Sequence, residues 1–265
     1  MNMITEGKTK VLTPLNAVRL TSKDAITAGD GAKKDEFAQK GEYATETTCN
    51  VFTLLRTHGI PVAFYYRDSP TSFIAPLCRM LPWEVVCRAE AHGSYLKRHR
   101  NLTKGDALVP VVSEFFLKTS EQQWREYDLP CDDPLTSQVE SEFYLFVPSE
   151  PAVTSGHFLK LHAHEVCEEP SDADLLEPMR RMALEVFSIL RTAWNTLGYN
   201  LVDMKVEFGV DCEGNLLLAD VIDNDSWRIW PWGDKSQMKD KQVYRNLENT
   251  DAKALGAIKD NYAWV

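Results

Sequence analysis

The stretch from Leu201 to Ile222 constrains the fold more than any other part of the chain. Leu201-Val202-Asp203-Met204-Lys205-Val206-Glu207-Phe208-Gly209-Val210 alternates strictly. Val202, Met204, Val206 and Phe208 therefore share one face of a strand, and Asp203, Lys205, Glu207 and Gly209 the other. Asp211-Cys212-Glu213-Gly214-Asn215 is turn chemistry, and Leu216-Leu217-Leu218-Ala219-Asp220-Val221-Ile222 follows as a second strand, so the pair predicts a β-hairpin. The apolar face needs a core. The charged face is either solvated or the wall of a polar site. Asp220 favours the second reading, because a carboxylate ending an almost wholly apolar strand is costly to bury alone. Pairing brings it near Lys205 and Glu207. Glu207 and Asp220 then supply two oxygen donors which, with substrate phosphates, suit Mg²⁺.

Around this hairpin the chain mixes strands and helices without an internal repeat. Val11-Leu12 and Ala17-Leu20 predict a short hairpin, and Asp24 to Lys34 reads as a loop. A helix is expected from Glu42 to His58, ended by Gly59 and Pro61. Strands are expected at Val62–Tyr66, Ser72–Ile74 and Glu84–Arg88, with a lobe boundary at Leu81-Pro82. That gives an N-terminal lobe over 1–82 and a C-terminal lobe, which carries the metal hairpin, over 83–265. Thr119 to Pro134 is polar and acidic and reads as a long exposed loop. The clearest helix runs from about Asp172 to Leu197, capped by Ser171 or Asp172 and stopped by Gly198. Its stripe of Ala183, Val186, Phe187, Leu190, Trp194 and Leu197 reads as core.

Bulk properties exclude some functions. The net charge of −10 disfavours tight binding to nucleic acid or to an acidic membrane. No apolar run approaches the roughly 18 residues of a membrane span. Met1–Glu6 lacks a basic segment leading into an apolar one, so no secretory leader is expected. The six cysteines contain no CxxC pair, which fits a reducing, cytoplasmic setting. His157, His162 and His164 lie close in sequence, but with no cysteine pair beside them they are not read as a zinc site.

Three small clusters join glycine or polar residues to basic ones: Glu6-Gly7-Lys8-Thr9-Lys10, Gly93-Ser94-Tyr95-Leu96-Lys97-Arg98 and Asn224-Asp225-Ser226-Trp227-Arg228. Each singly is an ordinary solvated turn as readily as a phosphate contact. Together the motifs EGKTK, SKDAITAGDGAKK, VVCR leading into HGSYLKR, LVDMKVEFGVD, LLLADVIDNDSWRIWPWGDKSQMKDKQVYRNL and NYAWV resemble the SAICAR synthetase family from Glu6 to Val265. The C-terminal wording looks more like the synthetase half of the animal bifunctional purine enzyme than the bacterial form.

The resemblance implies an α+β, two-lobed, ATP-grasp-like fold of antiparallel sheets and flanking helices, with ATP between the lobes. It implies an ATP- and Mg²⁺-dependent ligase that joins the carboxylate of 4-carboxy-5-aminoimidazole ribotide (CAIR) to the amine of L-aspartate. Motif by motif, it places Lys8, Lys10, Lys241 and Arg245 at ATP. Asp30, Arg88, Ser94, Asp203, Lys205 and Arg228 go around the ribotide, and Glu207 and Asp220 to Mg²⁺. Lys205, Asp203 and Lys118 are the expected catalytic set. No nucleic-acid or membrane partner is implied, and a homo-oligomer is left open. The sequence departs from the family after Lys118, where an insertion precedes Asp133-Pro134, and at Lys40–Thr45. Those departures keep two other readings open: a sister ligase using another amine or nucleotide carboxylate, and a catalytically silent homologue.

Overall fold

The structure is a computed structural model that describes residues 5–6, 10–14, 17–28, 33–232, 234–247 and 250–265, with 5–6, 10–14 and 153 described by backbone alone. The fold is α+β with antiparallel sheets. The chain forms two compact units: unit 1 is Met1–Met80, Ser188–Leu201 and Gly209–Val265, and unit 2 is Leu81–Phe187 and Val202–Phe208. Among the described residues no helix is long and apolar enough to cross a membrane.

Unit 1 opens with β1 (Thr5–Glu6), β2 (Lys10–Pro14), β3 (Ala17–Ser22), β4 (Ala25–Ala28), β5 (Lys33–Glu36), helix α1 (Lys40–Thr57), β6 (Tyr66–Ser69) and β7 (Ser72–Pro76). A five-stranded antiparallel sheet runs β1-β2-β3-β7-β6, and its β2–β3 pair is the first expected hairpin. The expected loop at Asp24–Lys34 is instead mostly the ribbon β4–β5. Its small polar residues carry one strong apolar anchor, Ile26, which is buried with Phe37, Tyr244, Ile258 and Tyr262. Helix α1 starts at Lys40 rather than Glu42, because Gly41 allows its first turn to approach β3. A Cβ there would lie 2.8 Å from the Ser22 carbonyl oxygen, and the Gly41 N–H donates to Asp24 Oδ1 at 2.9 Å. Val62 forms only an isolated bridge to Leu218, so the strand expected at Val62–Tyr66 begins at Tyr66.

The chain then forms β8 (Arg79–Glu90), α2 (Gly93–Arg98), β9 (Ala107–Leu117), β10 (Gln123–Trp124), β11 (Tyr127–Asp128), β12 (Leu135–Val139), β13 (Glu142–Phe146), α3 (Ala152–Ser155), β14 (Leu159–His162), α4 (Ala163–Val166) and α5 (Leu176–Thr196). The unit 2 sheet runs β14-β13-β12-β9-β8 and continues into β15 (Tyr199–Val210), whose Val202–Phe208 section belongs to this unit. One face is apolar: Trp83, Val85 and Cys87 of β8 are fully buried, and Trp83 stacks at a tilt on Phe143 at 5.4 Å. Helix α5 begins at Leu176 after a 3-10 turn over Pro170–Leu175, and Gly198 at φ 76 follows its end as expected.

The exposed loop expected at Thr119–Pro134 is ordered and contains the β10–β11 hairpin. Trp124 Nε1 donates to the Glu165 carbonyl at 3.0 Å, and the Tyr127 hydroxyl to Glu165 Oε1 at 2.6 Å. Its lack of periodicity follows from short strands that are held by side chains rather than by a buried face.

The last part of unit 1 contains β16 (Leu216–Ala219), β17 (Trp227–Pro231), α6 (Gln242–Asn246) and α7 (Ala252–Trp264). Both β16 and β17 pair with β15. The turn between β15 and β16 is closed by Asp211, whose Oδ1 accepts from the N–H groups of Glu213 and Asn215 at 2.9 Å each. The second hairpin is therefore as expected, except that β16 ends at Ala219. Asp220 leaves the strand in the left-handed region at φ 59, a conformation uncommon outside glycine and one that aspartate tolerates better than most residues.

Candidate active site

The polar face of the unit 2 sheet is a chain of charges at alternate positions. On β8 these are Glu84 and Arg88, on β9 Glu114, and on β15 Asp203, Lys205 and Glu207. Alternation puts them on one face and pairing brings them together. Arg88 is 6% exposed and donates through Nη1 to Asp203 Oδ2 and through Nε to Glu114 Oε2, both at 3.0 Å. Arg98 of α2 donates to the other Glu114 oxygen and to the Pro148 carbonyl.

Further along the face, Lys205 Nζ donates to Glu84 Oε1 at 2.5 Å and to Glu207 Oε1 at 2.9 Å. Lys118 Nζ reaches Glu207 Oε2 at 2.5 Å. Glu207 is buried, and burial alone would push its carboxyl up. Lys205 and Lys118 outweigh burial and hold it down at about 2. Burial opposes the Lys205 ammonium too, but Glu207 and Glu84 raise its pKa above the ordinary lysine value. The carboxylates on β15 are thus buried in ion pairs instead of lying on a solvated face. The two ammonium groups remain reachable, with side chains 36% exposed at Lys205 and 48% at Lys118.

Unit 1 holds a second charged cluster. Lys40, at the first turn of α1, and Lys241, which precedes α6, each donate to Asp225 Oδ2 at 3.2 Å. The Tyr262 hydroxyl of α7 donates to the other Asp225 oxygen. Burial would raise the Asp225 carboxyl, but Lys40 and Lys241 keep it well below the usual carboxylate range. Burial would lower Lys40, and Asp225 with Asp223 raises it instead. For Lys241 burial prevails over Asp225, with Arg245 and Lys40 adding to the fall, and the ammonium is lowered. Arg228 on β17 donates through Nε to Gln242 at 3.2 Å, and Arg245 lies exposed on α6.

Arg88, Lys118, Asp203, Lys205 and Glu207 are therefore brought together in unit 2, with Ser94 half-buried in the first turn of α2. Lys241, Arg245 and Arg228 lie in unit 1, as does Asp220. Lys10 lies in β2, while Lys8 and Asp30 are outside the described residues. Sequence reasoning missed Glu84, Glu114 and Arg98 in unit 2 and Lys40 in unit 1. Glu84 was legible, since it stands in register with Arg88 on the charged face of an alternating strand. Glu114, alone between Val112-Ser113 and Phe115-Phe116, carries the same signal as Asp220. Lys40 offers none, because its partner is far away in sequence.

These features define a class: an α+β protein whose antiparallel sheet presents a buried, ionised carboxylate, Glu207, paired to two reachable ammonium groups, an arrangement suited to anionic ligands. The family model for SAICAR synthetase matches residues 3–129 and 154–259. The chain belongs to the SAICAR synthetase family. It is 40% identical over 270 residues to the Drosophila melanogaster bifunctional phosphoribosylaminoimidazole carboxylase/phosphoribosylaminoimidazole succinocarboxamide synthetase, covering 99% of this chain and 56% of that protein. The Dictyostelium discoideum bifunctional purine synthesis protein purC/E is 41% identical over 285 residues, covering 99% of this chain and 26% of that one.

The chain thus spans about a quarter to a little over half the length of these relatives. Against the Chloroflexus aurantiacus phosphoribosylaminoimidazole-succinocarboxamide synthase it is 39% identical over 267 residues, covering 99% of this chain and 94% of that one. Among solved structures, a type-2 SAICAR synthetase in complex with ADP superposes with a TM-score of 0.75 at 27% identity, covering 99% of this chain and 98% of that chain.

Proposed function

We propose that this chain uses ATP and Mg²⁺ to join the carboxylate of CAIR to the amine of L-aspartate, giving SAICAR, ADP and phosphate in purine synthesis. The observation that carries this reading is the match over nearly the whole chain to a single-function synthase of similar length, at 39% identity. ATP as the nucleotide is supported by the ADP complex of a solved relative. The ATP-grasp-like description of the two lobes is part of the same proposal, as is a cytoplasmic setting.

In the proposed reaction a CAIR carboxylate oxygen attacks the γ-phosphorus of ATP, and the bond to the bridging oxygen of ADP breaks. The aspartate nitrogen then attacks the acyl carbon, the carbon–oxygen bond to phosphate breaks, and the amine proton is lost. Little covalent help is needed; the demands are positioning and offset of negative charge. Lys205 and Lys118 offer ammonium groups for the latter, and Glu84 and Glu207 fix the direction of Lys205. Asp203 and Glu114 fix Arg88. The ribotide set also takes Ser94 and Arg228, with Asp30 from the family's substrate loop. Lys8, Lys10, Lys241 and Arg245 are the proposed ATP contacts.

Glu207 fits a hard cation as an ionised carboxylate oxygen donor. Glu207 in unit 2 and Asp220 in unit 1 are the carboxylates that the resemblance assigns to Mg²⁺. Among the described residues no group of three or more His, Cys, Asp or Glu side chains is set to hold a metal. Mg²⁺ commonly takes only one or two carboxylates plus water and phosphate, so the proposal does not need a larger cage. When bound, Mg²⁺ would offset charge on the transferring phosphoryl group. The deciding assay offers purified protein ATP, Mg²⁺ and CAIR with aspartate against a panel of other amines. Turnover confined to another amine, or no turnover, would overturn the assignment.

A further inference from the structure

Glu207 gives each of its two carboxylate oxygens to a different lysine, and the two lysines are held differently. Lys205 is fixed from both sides, by Glu84 at 2.5 Å and Glu207 at 2.9 Å. Lys118 meets Glu207 alone among the carboxylates of the described residues, and its side chain is the more exposed of the two. Together Glu84, Lys205, Glu207 and Lys118 are two negative and two positive charges, a neutral set. A divalent cation arriving at Glu207 would stand beside an ammonium and lose much of the attraction that draws it there.

The backbone at Lys118 is pinned. Its own N–H donates to the Pro82 carbonyl at 2.8 Å, and the Leu117 N–H to the Pro134 carbonyl at 3.0 Å. The Thr119 N–H donates to Asp133 Oδ1 at 3.0 Å, and the Asp133 N–H returns to the Thr119 hydroxyl at 2.8 Å. Only the four-carbon side chain is free to turn, and lysine rotamers allow that readily.

We propose that Lys118 and the divalent cation compete for one oxygen of Glu207, so that cation binding turns the Lys118 ammonium off the carboxylate and onto anionic substrate. The inserted segment after Lys118 then acts as the fixed base of a moving side chain, not as the moving part. The coupling is reciprocal: an anion that takes the ammonium tightens the cation by the same factor that the cation tightens the anion. This inference rests on the reading of Glu207 as a metal ligand.

The test is Mn²⁺ affinity of the full chain without nucleotide, read as loss of the free-ion electron paramagnetic resonance signal. Mn²⁺ shares the preference of Mg²⁺ for oxygen ligands. Lys118→Met removes the competing charge-assisted contact and keeps the stem, so it should bind Mn²⁺ about tenfold more tightly or better. Lys118→Arg keeps the competitor and should bind no more tightly than the unaltered protein. Glu207→Gln should lose the site. If Lys118→Met matches the unaltered protein while Glu207→Gln loses binding, the competition is wrong and the metal reading stands. If Glu207→Gln binds Mn²⁺ normally, the metal reading fails and the competition fails with it. Hydrogen exchange at residues 117–119 should stay unchanged in saturating Mg²⁺; a change there would overturn the pinned backbone.

Discussion

Arg88 and Asp225 carry similar arguments with opposite signs. Arg88 is buried between Glu114 and Asp203, so removing its charge takes an ion-pair partner from each of two carboxylates in the sheet and leaves Glu114 with Arg98. Breaking a buried pair in that way costs about 3–5 kcal/mol. Arg88→Met should lower stability by that order in chemical denaturation, besides any loss of ligand. A midpoint unchanged from the unaltered protein would show that the pairs are not stabilising. Asp225 is the anion between two ammonium groups. Burial pushes its carboxyl up, and Lys40 and Lys241 more than reverse that, so its folded pKa lies below the unfolded one. A depressed carboxyl contributes stability above its unfolded pKa, near 3.9, and loses it as pH falls toward the folded value. Urea midpoints measured downward from pH 6 should therefore fall below about pH 4. Asp225→Asn should start lower and fall less; an equally steep fall in the variant would move the acid sensitivity elsewhere.

At the scale of elements, the segment between β9 and β12 separates what periodicity can and cannot reveal. Helix α5 was legible because one long apolar stripe repeats along it. The β10–β11 hairpin was not, since its two-residue strands have no periodicity and its ties to Glu165 are side-chain contacts distant in sequence. Four of its neighbourhood's residues, Glu121, Gln122, Arg125 and Asp133, have left-handed backbone, which costs energy outside glycine and persists where surroundings enforce it. Replacing residues 120–132 with a short turn removes Asp132, which accepts from the Thr119 hydroxyl, and should loosen the Thr119–Asp133 clamp that follows Lys118. The expected result is a changed kinetic constant for the amine with the ATP constant unaltered. Unchanged constants for both would make the hairpin a bystander.

For the whole molecule, connectivity matters more than any single contact. Unit 1 is assembled from three separate stretches of chain. Ile26 and Phe37, from the first stretch, share a core with Tyr244, Ile258 and Tyr262 from the last. A fragment ending at residue 82 would expose that core and leave Lys40 buried without Asp225. It should be unfolded by circular dichroism and gain structure only when 188–265 is restored. A cooperative thermal transition in the short fragment would show that it needs no return of the chain.

Alternation, helical spacing and contiguous motifs are local and survive without contacts, so the residues alone gave away the β15–β16 hairpin, the α5 core stripe from Ala183 to Trp194 and the family, while Leu197, expected in that stripe, lies past the helix end and is exposed. The sequence also marked Glu207, Lys205 and Asp203, since charges at alternate positions opposite an apolar face demand an explanation. It did not determine that Arg88 is clamped by Glu114, that Lys205 lies between Glu84 and Glu207, or that Lys40 pairs with Asp225. Those partners are 26, 121 and 185 residues apart for Arg88–Glu114, Lys205–Glu84 and Lys40–Asp225. Folding selects them, because a buried charge is stabilised by whatever opposite charge the fold brings beside it, and no local pattern records which one that will be.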